Sequence, residues 1–262
     1  MGSIRELIST GQKDSDFLMF RQISYRIFSS KLSSMASRKS GKEAIIHIKG
    51  VIFDLDGTLT LPVLNFTELR RRLGCPPPPY DLLEFVRQQP EKQKIRLYQI
   101  IEDFEEEGNR NMKLQPGVRQ LLKFLASQGL HRAIVTRNAQ PCVDYLLDVL
   151  GDPESYGGPF THMLTRDFKP TKPDPAPVQY ICRQWGIPPS QAIMVGDHLH
   201  DIQSGNTAGA VTILVNNKKN GAYKKESDFN VDLLEGIINL LKNSPFTVNR
   251  SPSAPPAPIE GS

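Results

Sequence analysis

An apolar run that ends abruptly in two acids constrains this chain more than any other feature. Val51-Ile52-Phe53-Asp54-Leu55-Asp56-Gly57-Thr58-Leu59-Thr60 passes from aliphatic and aromatic residues to two carboxylates one residue apart, then to a glycine and hydroxyls. The apolar part reads as a buried strand, Val51–Leu55, and Asp-Gly is turn chemistry. A strand of this kind delivers its acids to the edge of a sheet, where they can hold a cation and meet a substrate. Taken alone, the same pattern is also an ordinary strand running into a turn. The reading therefore depends on whether other strand ends supply partners.

Downstream, short apolar runs alternate with helical periods. Val118, Leu121, Leu122 and Leu125 follow helical spacing between Gly117 and Gly129, and the strand Ala133–Val135 follows. Val143, Leu146, Leu147 and Leu150 form a second helical face before Gly151, with a weaker strand near Thr161–Leu164. A helix through Val178, Ile181, Cys182 and Trp185, the strand Ala192–Val195, a short helix through Ile202, the strand Val211–Val215 and a last helix over about Val231–Leu241 complete the pattern. Strands alternating with helices predict an α/β fold: a Rossmann-like, doubly wound parallel sheet covered on both faces. Ligands of such sheets bind beyond the carboxyl ends of the strands.

The segment 61–113 breaks this rhythm. Phe66, Leu69 and Leu73 give one short helix, Leu82, Leu83 and Val86 a second, and Ile95, Tyr98, Ile101 and Phe104 a longer third. This predicts a small helical cap inserted after the first strand, on a core formed by 46–60 and 114–243. Residues 1–45 stand apart: positions 1–40 hold seven Lys or Arg against Glu6, Asp14 and Asp16, which accounts for the whole net charge of +4. From Phe17 to Ser40 the chain is free of acids and rich in serine, as in an organellar (chloroplast or mitochondrial) transit peptide or equally a disordered basic tail. Residues 244–262 are Pro/Ser-rich and expected to be disordered. With the excess charge confined to the N-terminus, nothing points to nucleic acid as a partner, and no apolar stretch is long enough to span a bilayer. Cys75, Cys142 and Cys182 show neither metal-ligand spacing nor an even count, so neither a disulfide framework nor a structural zinc is expected.

Polar groups follow each later strand. Thr136-Arg137-Asn138 offers a hydroxyl and backbone N–H groups suited to an anionic phosphoryl oxygen, and also reads as a plain helix cap. The proline-rich loop Lys169-Pro170-Thr171-Lys172-Pro173-Asp174-Pro175 places Lys172, with Lys169 as its rival, where an ammonium could balance phosphoryl charge. Asp197, after Gly196, and Asp201 one helical turn later would join Asp54 and Asp56 in a Mg2+ site built of hard oxygen donors. His198 and His200 lack a third imidazole or thiolate nearby, so they are read as rim residues rather than zinc ligands.

In order and position, these groups resemble the haloacid dehalogenase superfamily. Asp54-x-Asp56-Gly57-Thr58 is similar to its first motif, Thr136 to its second, Lys172 to its third and Gly196-Asp197-x-x-x-Asp201 to its fourth. The resemblance covers about Lys49 to Leu241. The insert resembles a shortened form of the helical cap of phosphoglycolate-phosphatase-like members, as in similar plant proteins. It implies a phosphatase acting on a small phosphorylated metabolite, with Asp54 as nucleophile and Asp56 as general acid and base. It further implies Mg2+ held by Asp54, the Asp56 carbonyl and Asp197. Phosphate would be bound by Thr136, Arg137, Asn138 and Lys172, with Thr58 and Asp201 in support. A phosphomutase using the same residues, and a catalytically degenerate binding module, are the alternatives.

Overall fold

β-Branched and aliphatic residues alternate sides along each strand, and this alternation sorts the core into two layers. The computed structural model describes residues 45–62, 65–77, 82–243 and 246–247. The transit-peptide expectation and most of the expected tail lie outside the described residues. Nine segments make up the core between its termini: β2 (Gly50–Phe53), α4 (Val118–Ser127), β3 (His131–Val135), α5 (Gln140–Leu150), β4 (His162–Leu164), α6 (Ala176–Gln184), β5 (Ala192–Gly196), α7 (Leu199–Ala208) and β6 (Val211–Val215). β7 (Phe229–Val231) and α8 (Glu235–Lys242) follow. The six strands form one sheet in the order β4-β3-β2-β5-β6-β7, and every pairing is parallel. β2 therefore lies centrally, with its ladder extended one residue by the Asp54 N–H donating to the Val195 carbonyl at 2.9 Å.

Val51 and Phe53 point into a cluster with Leu121, Leu122, Leu125, Val143, Leu146 and Ile237, from α4, α5 and α8. Between them, Ile52 points the other way, onto Val178, Ile181, Cys182 and Ala208 from α6 and α7. Helices on both faces explain why the strands read as nearly continuous apolar runs.

Two details differ from the sequence expectation. Val231 does not begin the last helix: it ends β7, whose backbone pairs with β6, and the helix starts at Glu235. Edge pairing decided this, since a three-residue strand has too few side chains to show a period. Within the expected tail, Phe246–Thr247 (β8) pairs antiparallel with Ile45–Ile46 (β1).

The insert carries its own small core. α1 (Phe66–Leu73), α2 (Leu82–Arg87) and α3 (Glu91–Arg110) enclose Leu69, Leu73, Cys75, Val86, Ile101 and Phe104. Asn65 caps α1 by accepting from the Glu68 N–H at 3.2 Å, and Gly74 closes it in the left-handed region. At the neck the two connecting strands are zipped together: the Leu61 N–H donates to the Lys113 carbonyl at 2.8 Å and the Gln115 N–H to the Leu59 carbonyl at 2.9 Å. A second tie lies further out. Arg166, in the loop after β4, grips Glu105 of α3 through both guanidinium ends at 2.9 and 3.1 Å. With both side chains about one-third exposed, this fork should contribute modestly. A double-mutant cycle of Glu105→Gln and Arg166→Gln, read by urea denaturation, is expected to give a coupling of about 0.5–1 kcal/mol.

Candidate active site

Because β2, β3 and β5 are parallel neighbours, their carboxyl ends open at one edge of the sheet. Asp54 and Asp56 follow β2, Thr136 follows β3, and Asp197 follows β5. Lys172 enters from the loop between β4 and α6, and it joins the acids. Its ammonium, 3% exposed, donates to Asp54 Oδ1 at 2.6 Å, Asp201 Oδ1 at 2.7 Å and the Val135 carbonyl at 2.6 Å. Three acceptors match the three N–H bonds of an ammonium. Lys169, the rival in the same loop, is exposed.

Asp201 is fully engaged: its second oxygen accepts from the His198 N–H at 3.0 Å. Asp56 is held from both sides, by the Asn138 side-chain amide at 2.7 Å on Oδ2 and by the Thr60 hydroxyl at 3.4 Å on Oδ1. Thr136 is buried, and its hydroxyl oxygen accepts from the Asn138 N–H at 3.1 Å, leaving its own O–H free to donate elsewhere. Asp197 gives Oδ2 to the Asn217 side-chain amide at 2.9 Å. Gly57 has to be glycine here twice over. Its φ is +77°, and an added Cβ would land on the Asp197 carboxylate.

Three expectations for individual side chains change. Thr58 does not support the carboxylates: its hydroxyl is fully buried and has no hydrogen-bond partner among the described residues, and Thr60, two residues on, makes the bond to Asp56. The turn at Gly57 swings the chain so that position 60, bridged to Asp56, faces it instead. The amide of Asn138 is taken up by Asp56 and by Cys142 Sγ at 3.3 Å rather than left free for an anion. Arg137 is exposed, with its guanidinium 3.0 Å from His200 Nδ1. His198 and His200 pack edge to face at the rim, next to Tyr223.

Sequence reasoning missed Thr60, Gln115, Asn217 and Asn220. Gln115 donates to the Gly57 carbonyl at 3.1 Å across the neck. Asn217 and Asn220 lie just past the end of β6, and polar residues beyond a strand end are the same signal that exposed the other groups. The cysteines are free, as expected.

Four carboxyls face one ammonium, and three of them, Asp54, Asp56 and Asp197, are shifted upward. Burial pushes Asp54 well above the usual carboxylate range; Lys172 opposes the shift, while Asp201 and Asp197 add to it. Burial likewise raises Asp56, against the hydrogen bonds from Asn138 and Thr60. Asp197 is pushed up to about 7 by burial and then by the charges of Asp201 and Asp56. Burial alone would lower Lys172, but Asp201 and Asp54 more than reverse this and hold it charged. Asp54, Asp197 and Asp201 offer carboxylate oxygens within 4.8 Å of one another. Hard oxygen donors with surplus negative charge fit a divalent cation such as Mg2+. Asp201 already receives Lys172 and His198 on its two oxygens, while Asp54 and Asp197 each keep one oxygen without a hydrogen bond among the described residues.

The family model described as haloacid dehalogenase-like hydrolase matches residues 51–215, well over half of the chain. The chain belongs to that family. Among its relatives are an uncharacterized hydrolase of Saccharomyces cerevisiae, 35% identical over 79% of this chain and 97% of its own length, and a haloacid dehalogenase-like hydrolase domain-containing protein of Arabidopsis thaliana, 34% identical over 78% and 87%. A phosphoglycolate phosphatase of Haemophilus influenzae is 29% identical over 64% of this chain. The crystal structure of a predicted phosphoglycolate phosphatase from Haemophilus somnus shares the fold, with a TM-score of 0.61 at 24% identity over 75% of this chain and 99% of that one. Haloacid dehalogenase-like hydrolases thus supply the frame in which these strand-end groups converge. No helix among the described residues is long and apolar enough to cross a membrane.

A raised carboxyl pKa has a consequence for stability. Between about pH 6.5 and 8 the unfolded chain's carboxyls are already ionised, whereas folded Asp197 is still losing its proton, so the native state binds more protons and stability falls as pH rises. Lys172, raised above its ordinary value, stays charged throughout this window, while His198 and His200, lowered chiefly by burial, bind fewer protons folded than unfolded near the ordinary histidine value and work the other way. Asp197→Asn removes the Asp197 contribution alone, so between about pH 6.5 and 8 the melting midpoint in EDTA is expected to fall more, or rise less, for the wild type than for Asp197→Asn. A wild-type profile parallel to that of Asp197→Asn would contradict the assignment.

Proposed function

We propose that this protein is a Mg2+-dependent phosphatase that hydrolyses a small-molecule phosphate monoester through an aspartyl-phosphate on Asp54. The observation that carries the reading is the bond from Lys172 to Asp54 Oδ1. It fixes one oxygen of the carboxylate while the other makes no hydrogen bond among the described residues, two residues from a second, separately held acid. Support also comes from family membership and from the phosphoglycolate phosphatase relatives.

Asp54 attacks phosphorus, and the bond to the ester oxygen breaks. Asp56, whose raised pKa suits it to arrive protonated, passes its proton to the leaving alkoxide. Asp56, now ionised, takes a proton from water as the water attacks phosphorus, which releases phosphate and restores Asp54. Asn138 and Thr60 hold Asp56 in place for both transfers. Thr136 donates its hydroxyl hydrogen to a phosphoryl oxygen, and Lys172 keeps the charge of Asp54 compensated. Asp201 orients Lys172, and Arg137 with His200 borders the leaving group's side of the site. Asp54, the Asp56 carbonyl and Asp197 would hold Mg2+, whose positive charge would let a carboxylate approach a phosphate dianion.

Four measurements test this. Asp54→Asn should lose at least about 10³-fold in kcat with its fold retained, since the covalent route is then closed. Asp56→Asn should cost about 10²–10⁴-fold on alkyl phosphates but much less on an aryl phosphate, whose leaving group needs no proton. Wild-type turnover by Asp54→Asn would refute the nucleophile. Removing Mg2+ with EDTA should abolish turnover of a panel of phosphorylated metabolites, and adding Mg2+ back should restore it. Release of inorganic phosphate in step with ester consumption separates a phosphatase from a phosphomutase of the same fold.

A further inference from the structure

The loop that follows β6 is built around one carboxylate. Asn220, 2% exposed, uses its side-chain amide twice, donating to the backbone carbonyl of Asp197 and to that of Val215, each at 2.8 Å. Its side-chain oxygen accepts from the Asn217 N–H at 2.9 Å. Asn217 reciprocates: its side-chain oxygen accepts from the N–H groups of Asn220 at 3.0 Å and Lys219 at 2.8 Å, and its amide donates to Asp197 Oδ2 at 2.9 Å. Two asparagines three residues apart thus lock each other. Together they grip Asp197 at both its main chain and its side chain, while Val215 anchors the grip to the sheet.

A second segment packs on the same carboxylate. Gly57, from the turn after β2, leaves no room for even a methyl group beside that carboxylate. Asp197 is therefore set between a turn from one strand and a clamp from another, with Oδ2 occupied and Oδ1 left over.

We propose that Asn217 and Asn220 are positioning residues for the cation site, fixing the backbone and the rotamer of Asp197 so that Oδ1 is presented to Mg2+ before the ion arrives. This rests on the reading of Asp197 as a cation ligand. An unclamped aspartate would have to lose its side-chain freedom on binding; here the fold has already removed it. Asn217 acts on the side chain directly, and Asn220 acts through the carbonyl of Asp197 and through Asn217.

The test is calorimetric titration of Mg2+ into the full chain. Wild type is compared with Asn217→Ala, with Asn217→Leu (similar bulk, no amide), with Asn220→Ala and with Lys218→Ala as a control in the same loop. Circular dichroism and melting in EDTA report whether each variant is folded. Both Asn217 variants should fold and bind Mg2+ about 10–100-fold more weakly, the range seen when an outer partner of a metal ligand is removed. Asn220→Ala should weaken binding as much and also melt lower, and Lys218→Ala should match wild type. In turnover, the Mg2+ concentration giving half-maximal rate should rise for the Asn217 variants, while KM for the ester at saturating Mg2+ stays within about twofold. Folded Asn217 variants with wild-type Mg2+ affinity would overturn the proposal. A wild-type protein that binds no Mg2+ would overturn the cation reading itself and this inference with it, and the two failures are told apart by the wild-type titration.

Discussion

The site depends on one buried ammonium. Lys172 bonds Asp54, Asp201 and the end of β3 at once, so a single side chain ties together the loops that follow three different strands. Burying an ammonium is costly unless all its protons are taken up, and here each has an acceptor. The arrangement is also deliberately short of positive charge. With four carboxyls around one lysine, burial drives Asp54, Asp56 and Asp197 toward their protonated forms. Such a cluster is poorly balanced by itself and comes closer to balance with a divalent cation among its oxygens.

The same geometry separates two acids that the sequence places only one residue apart. Asp54 continues the direction of β2 and meets Lys172. Asp56, beyond Leu55, is received by Asn138 from the neighbouring strand end and by Thr60 from its own turn. Asp54 is therefore tied to the Lys172 ammonium and Asp56 to neutral donors, a difference that suits the nucleophile and proton carrier proposed above. The cap enters and leaves through the neck at Leu61 and Lys113, immediately beyond that turn. The Arg166–Glu105 fork adds a second attachment, and the Arg166 N–H donates to the Asn138 carbonyl at 2.8 Å. Cap, third loop and the partner of Asp56 are thus physically continuous.

Much of this was legible in the chain. The alternation of apolar runs and helical periods read correctly as a doubly wound parallel sheet, because burial on both faces leaves a strong imprint on composition. β7 was not legible: three residues, only one of them buried, carry no period, and their strand character comes from pairing with β6. Thr60 was passed over in favour of Thr58 for a related reason. Two hydroxyls in one turn look alike in sequence, and only the turn's path decides which meets Asp56.

By itself, the sequence determined which chemical groups stand at which strand ends, since periodicity and turn residues fix where each strand stops and which residue follows. What it could not determine was how those groups are shared. Whether Asn138 serves an anion or Asp56, whether Arg137 joins Lys172 or His200, and which loop restrains Asp197 all depend on distances between segments that are far apart along the chain. Hydrogen bonding acts over about 3 Å, so only the folded arrangement of parallel neighbours, with β6 delivering Asn217 and Asn220 to a carboxylate that belongs to β5, decided them.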